Sequence, residues 1–330
     1  MSRPPPTNRL AEARLLAVGG RLEQSLAAYA ELIGREPMNG PVFAEFLAVK
    51  SQLIAARSTS ELMKLQHEAN IVHGQQRIEA LLADPRYDDP LRLERFGSKV
   101  YSQHDEDGIL GEIFRRIGVT NRQFFEFGVE DGLECNTHLL LHQGWQGAWA
   151  EASEEQAQAI RTRFRLALDA GRLRVAARRV DADTVNAIAR ELEVPAEPDL
   201  VSIDIDFNDY WVWKALELRP RVAVVEYNAK FPPPMKHVVA HNKDRAWNGS
   251  DYYGTSLQSL CDLAAAKGYT LVGCNITGVN AFFVRDDLCA EQFATPATAA
   301  QLYQPPRYEL FRMGGFELGH PADFGLWLDL

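Results

Sequence analysis

Hydrophobic positions recur in two different rhythms along this chain. From about residue 9 to 84 they follow a helical period, interrupted at Gly19-Gly20 and at Pro37-Met38-Asn39-Gly40-Pro41. Leu62, Leu65, Ala69, Val72 and Ile78 share roughly one face and predict a helix over 60–83. Asp84-Pro85-Arg86-Tyr87-Asp88-Asp89-Pro90 reads as a linker, and residues 1–8 as disordered. Beyond it, short apolar runs alternate with helical segments. Strands are predicted near 124–129, 147–151, 172–180, 199–205, 221–227, 269–274 and 280–285. Helices are predicted near 105–117, 133–143, 153–170, 183–192, 209–218 and 255–267. That alternation implies a parallel α/β sheet. Asn275-Ile276-Thr277-Gly278-Val279 is too short for a helical crossover, so the last two strands should pair antiparallel.

Composition narrows the class without naming a chemistry. At 330 residues the chain exceeds a usual single core, implying a helical accessory domain over 9–90 and an α/β domain over 91–330. No apolar run approaches the roughly 20 residues of a membrane span, and Met-Ser-Arg-Pro-Pro-Pro lacks a signal-peptide core. Cys135, Cys261, Cys274 and Cys289 form no C-x-x-C pair, which fits a reducing cytoplasm. The net charge of −10 argues against a nucleic-acid partner. The arginines at 161, 163, 165, 172, 174, 178 and 179 read as a solvated face.

Phe-Phe-Glu-Phe-Gly-Val-Glu-Asp-Gly at 124–132 predicts a strand, a glycine turn and a helix start. A dinucleotide turn needs G-x-G-x-x-G for an anionic pyrophosphate. Here the spacing is G-x-x-x-G between Gly128 and Gly132, with Glu126, Glu130 and Asp131 around it. Carboxylates there suit a cationic ligand, such as the ammonium and sulfonium of S-adenosylmethionine. Glu151, about 20 residues beyond the turn, ends the second strand where a carboxylate accepts ribose hydroxyls. Asp181 or Asp183 either receives an adenine amino group or caps a helix. Asp204, Asp206, Glu226 and Asn228 fall at neighbouring strand ends. They either share a divalent cation, Mg²⁺ or Mn²⁺ fitting an all-oxygen set, or form a metal-free site with one acid as base. The long 230–254 segment reads as a lid or substrate loop carrying His237 and His241. His241 and Asp209 are candidate bases beside Asp204, whereas His138 and His142 read as structural.

With these residues in view, the chain resembles the FkbM-type sugar and polyketide O-methyltransferases. The landmarks are Tyr101-Ser102-Gln103-His104-Asp105-Glu106-Asp107-Gly108-Ile109, the 126–132 turn, Asn136-Thr137, Gly144-Trp145, Gly147 with Trp149 and Glu151, Ser202-Ile203-Asp204-Ile205-Asp206, and Val225-Glu226-Tyr227-Asn228. The resemblance covers about 100–285 and implies a Rossmann-like class I methyltransferase sheet of seven strands, one antiparallel. It implies S-adenosylmethionine as cofactor and a sugar hydroxyl or other small glycan-related acceptor. It places Ser102, Gln103 and Asn136 near the cofactor, with Glu126, Gly128, Asp131, Gly132, Glu151 and Asp181. Related macrocin-type enzymes hold magnesium with acids after the fourth and fifth strands and use a nearby His. This chain departs there, with Glu226-Tyr227-Asn228 instead of paired aspartates and no His three residues after Asp204. Residues 20–39 resemble the second helix of a tetratricopeptide repeat, and the N-terminal helices are an expected route to homo-oligomers.

Overall fold

The computed structural model describes residues 6–35, 40–245, 247–311 and 327–328. Two compact units divide it, 1–72 and 73–330.

In the first unit, helices Pro6–Val18 and Leu22–Arg35 are joined by the Gly19-Gly20 turn, and a helix Gly40–Leu82 follows. It starts twenty residues before the predicted 60–83 segment, because no breaker interrupts the chain after Pro41. Ala13, Ala28, Tyr29, Leu32, Val42 and Val49 form the core. The Ser25 hydroxyl donates to the Ala13 carbonyl at 2.7 Å, and Tyr29 donates to Glu45 at 2.6 Å. The Pro6–Val18 helix begins inside the stretch expected to be disordered, since proline is well placed in a first helical turn.

The second unit is built on β1 (Gln123–Phe127), β2 (Gln146–Glu151), β3 (Leu173–Ala177), β4 (Leu200–Ile203), β5 (Val222–Glu226), β6 (Val238–Val239), β7 (Tyr269–Cys274), β8 (Asn280–Arg285) and β9 (Trp327–Leu328). Seven of these form one sheet in the order β3-β2-β1-β4-β5-β8-β7, while β6 pairs with β9. All neighbours are parallel except β8, which is antiparallel to both β5 and β7. This is the expected Rossmann-like sheet of seven strands with one antiparallel. Its strands are apolar on both faces, as helices on either side require. Phe125, Val201, Ala223 and Phe283 pack with Val185, Ile188, Val212, Trp213 and Leu260. Phe124, Leu200, Val222 and Phe282 pack with Ile109, Ile113, Leu140 and Ile160 on the other face.

Local chemistry reshapes three predicted segments. The helix expected over 133–143 is reduced to His138–His142, because the preceding backbone N–H groups of Asn136 and Thr137 go to the Glu126 carboxylate. The 153–170 helix splits into Glu154–Arg163 and Arg165–Asp169. Phe164 at the break packs edge-on against Trp149. The 84–90 stretch is no loose linker: Tyr87 is buried and donates to Gln304 Oε1 at 2.9 Å.

At the amino end of β4, fully buried Asp199 accepts the backbone N–H groups of Thr120, Asn121 and Arg122, the Thr120 hydroxyl, and Arg221. The carboxyl end lies at the switch point between β1 and β4, where strand order reverses and α/β sheets bind ligands.

Candidate active site

A cavity of about 670 Å³ opens at that switch point. Its floor is the close passage of two loops, those after β1 and β4. Gly128 has φ +78°, and a β-carbon on it would fall 1.7 Å from the Asp204 carbonyl oxygen. Only glycine fits there.

The β1 side of the wall carries Glu126, Gly128, Glu130 and Asn136, and β2 contributes Glu151. Glu126 accepts from Asn136 N (2.9 Å), Thr137 N (3.0 Å) and Thr137 Oγ1 (2.5 Å). Thr137 Oγ1 in turn accepts from Trp149 Nε1 at 2.8 Å. Burial raises the Glu126 pKa, and these donors hold the turn in shape. Glu151 accepts from Glu130 N at 2.9 Å and Ser153 N at 2.8 Å, one on each carboxylate oxygen. An oxygen with one such donor keeps capacity for another. Gln103 also lines the cavity.

Four expected cofactor residues lie elsewhere. Ser102 is not among the lining residues; its hydroxyl donates to the His104 carbonyl and accepts from Asp107 N. Asp131 turns outward to pair with Arg163 and accepts from Leu133 N. Gly132 makes room for rings, since a β-carbon there would meet Trp149 at 2.8 Å and Phe164 at 2.9 Å. Asp181 accepts from Asp183 N and Thr184 N, the capping alternative, while Val180 takes the place on the wall.

After β4 and β5 the acids converge. Asp204, Asp206 and Glu226 each offer an oxygen within 4.8 Å of the others. Asp206 sits at φ +64°, a left-handed conformation uncommon for aspartate; Glu130, also on the wall, has φ +50°. Burial pushes Asp204 and Glu226 well above the carboxylate range, and Asp204 adds to the rise at Glu226. Asp206 is raised too, by desolvation. Glu226 Oε2 is buried without a hydrogen-bond partner among the described residues. Asp209 is fully buried, accepts from Ile205 N at 2.8 Å, and is pushed up to about 7 by burial. It is not among the lining residues.

Two expected residues leave the cluster. Asn228 spends its Nδ2 on the Asp251 and Tyr253 carbonyls and its Oδ1 on Lys230 N, fastening the 230–253 segment. His241 is exposed beside Trp211 and absent from the cavity wall. Spacing and motif did not single out Asn280, at the start of β8, or Arg245 on the same wall, and Arg178 and Arg179, expected on a solvated face, line the cavity as well. The position of Asn280 opposite Glu226 follows only from strand register.

No protein-family model and no curated protein matches the chain. Among solved structures, it is similar to magnesium protoporphyrin IX methyltransferase from Synechocystis with bound SAH, at 12% identity and TM-score 0.39, over 56% of this chain and 83% of that one. The N-terminal domain of EvdMO1 with SAH bound matches at 14% identity and TM-score 0.37, over 64% and 93%. The StiE O-MT segment matches at 15% and 0.29; the match covers 50% of this chain and 51% of that protein, about half its length. Strand order and the Gly128 turn define the fold.

Proposed function

We propose that the chain is an S-adenosylmethionine-dependent O-methyltransferase of the FkbM-type group, acting on a sugar hydroxyl in glycan or natural-product assembly with a divalent metal. The observation that carries this is the Gly128 passage at the switch point, with Glu130, Glu151 and the three acids Asp204, Asp206 and Glu226 lining one cavity. The landmarks shared with the FkbM-type group support the hydroxyl acceptor.

The residues fit both groups. Glu151 holds the ribose through its remaining lone pairs, Glu130 and Asn136 face the cationic amino-acid portion, and Val180 and Ile205 offer an apolar face for adenine. Asp204, Asp206 and the orphaned Glu226 oxygen match the hard oxygen set of Mg²⁺ or Mn²⁺. When bound, the cofactor supplies an electrophilic methyl and the metal lowers the pKa of a hydroxyl. The chain's own part is to hold acceptor and donor in line and to receive the hydroxyl proton. Asp204 lies on the wall and, in its ionised form, would receive that proton; Asp209 is a second buried acid whose charge acts on it.

Calorimetric titration with S-adenosylmethionine, in magnesium and again in EDTA, tests the reading. Binding in the micromolar range in magnesium is expected. Absence of binding in both buffers overturns the cofactor assignment, and identical acceptor turnover in EDTA overturns the metal.

A further inference from the structure

We infer that Asn280 supplies a fourth, neutral oxygen to the cation site of Asp204, Asp206 and Glu226, and that Glu106 fixes the orientation that makes this possible. The inference rests on the metal reading above and adds two residues from outside the strand ends where such ligands are sought.

The register places the residues. Glu226 and Asn280 are direct partners across the antiparallel β5–β8 pair. Opposed residues project to the same face with Cβ atoms about 5 Å apart. One Glu226 oxygen belongs to the acid cluster, so the Asn280 side chain stands beside it, and Asn280 lines the same cavity.

The hydrogen bonds set which end of the amide faces inward. Asn280 Nδ2 donates to Glu106 Oε1 at 2.9 Å. Glu106 is fully buried and also accepts from Asn275 Nδ2 at 2.7 Å and His104 N at 2.9 Å. Reversing the amide would bring Oδ1 against the Glu106 carboxylate, two acceptors facing each other. Its Oδ1 is therefore left on the other side. Asn280 is 3% exposed, and Oδ1 has no hydrogen-bond partner among the described residues.

Two orphaned buried oxygens, Asn280 Oδ1 and Glu226 Oε2, thus belong to neighbouring side chains of the cavity wall. Leaving a buried acceptor unpaired carries a penalty that a ligand removes. Three carboxylates and an amide carbonyl form an oxygen set typical of Mg²⁺, Mn²⁺ or Ca²⁺ sites. Asn228, the amide expected from sequence, is not among the lining residues, and its Oδ1 accepts from Lys230 N.

The test is Mn²⁺ binding to the full chain at pH 8, followed by loss of the free-ion electron paramagnetic resonance signal. Asn280→Ala is expected to weaken Mn²⁺ about tenfold. Glu106→Gln, which allows the amide to turn over, is expected to weaken it severalfold. The urea transition followed by tryptophan fluorescence shows whether each variant is folded. In both, S-adenosylmethionine affinity stays at the parent value. Parent-level Mn²⁺ affinity in Asn280→Ala and Glu106→Gln overturns the inference. A parent chain that binds S-adenosylmethionine but no Mn²⁺ removes the metal site and this inference, and leaves the cofactor reading standing.

Discussion

Asp209 gives the sharpest quantitative handle on the buried acids. Its carboxyl is pushed from 3.8 up to about 7, chiefly by burial, with Asp206 adding to the rise. A raised acid binds its proton more tightly in the folded state, so the folded chain holds more protons than the unfolded one. Stability is then lost as pH rises from about 4 toward 7. Across pH 5 to 8 this single group accounts for a loss of about 2.5 kcal/mol, at about 1.4 kcal/mol per unit of the shift spanned. Asp209→Asn keeps an acceptor for Ile205 N and removes the titration. All six tryptophans lie beyond residue 140, so their fluorescence in urea reports the second unit alone. In EDTA, the variant's stability relative to the parent is expected to improve by about 2.5 kcal/mol between pH 5 and pH 8. Parallel pH dependences for the two chains would refute the reasoning, because they would mean that Asp209 titrates normally.

Other perturbations probe separate parts of the site. Glu151→Gln retains an acceptor but loses the charge, and is expected to weaken S-adenosylmethionine about tenfold by calorimetry; unchanged affinity removes Glu151 from the ribose role. Gly128→Ala forces a β-carbon toward the Asp204 carbonyl at positive φ, and a loss of about 3 kcal/mol is expected in urea unfolding. Thr137→Val strips Glu126 of a donor and leaves the Trp149 indole N–H without its acceptor. A loss of about 2 kcal/mol is expected, read from the same fluorescence transition.

The strands were legible because parallel strands covered on both faces are nearly continuous apolar runs. Val222-Ala223-Val224-Val225 and Ala281-Phe282-Phe283-Val284 stand out on that ground without any knowledge of register. The reversed β8 was legible from the five-residue connection before it. The site was legible only to the level of strand ends. Spacing cannot distinguish Glu130 from Asp131; the backbone at Glu130, φ +50°, turns one into the cavity wall and the other toward Arg163. Asn228 and His241 carried suitable atoms, but hydrogen bonds to the 251–253 backbone and exposure beside Trp211 decide their places. Asn280 is far from Glu226 along the chain and meets it only through pairing across the sheet.

Strand β4 joins two carboxylate environments of opposite character. At one end Asp199 is saturated with donors from the 120–122 backbone and Arg221; at the other, Asp204 opens on the cavity. Foldability and ligand preference are therefore separable along a few residues of one strand. Substitutions at 204, 206, 226 or 280 are expected to alter what the cavity binds while the sheet stays folded, whereas changes at Asp199 or Arg221 are expected to register as lost stability.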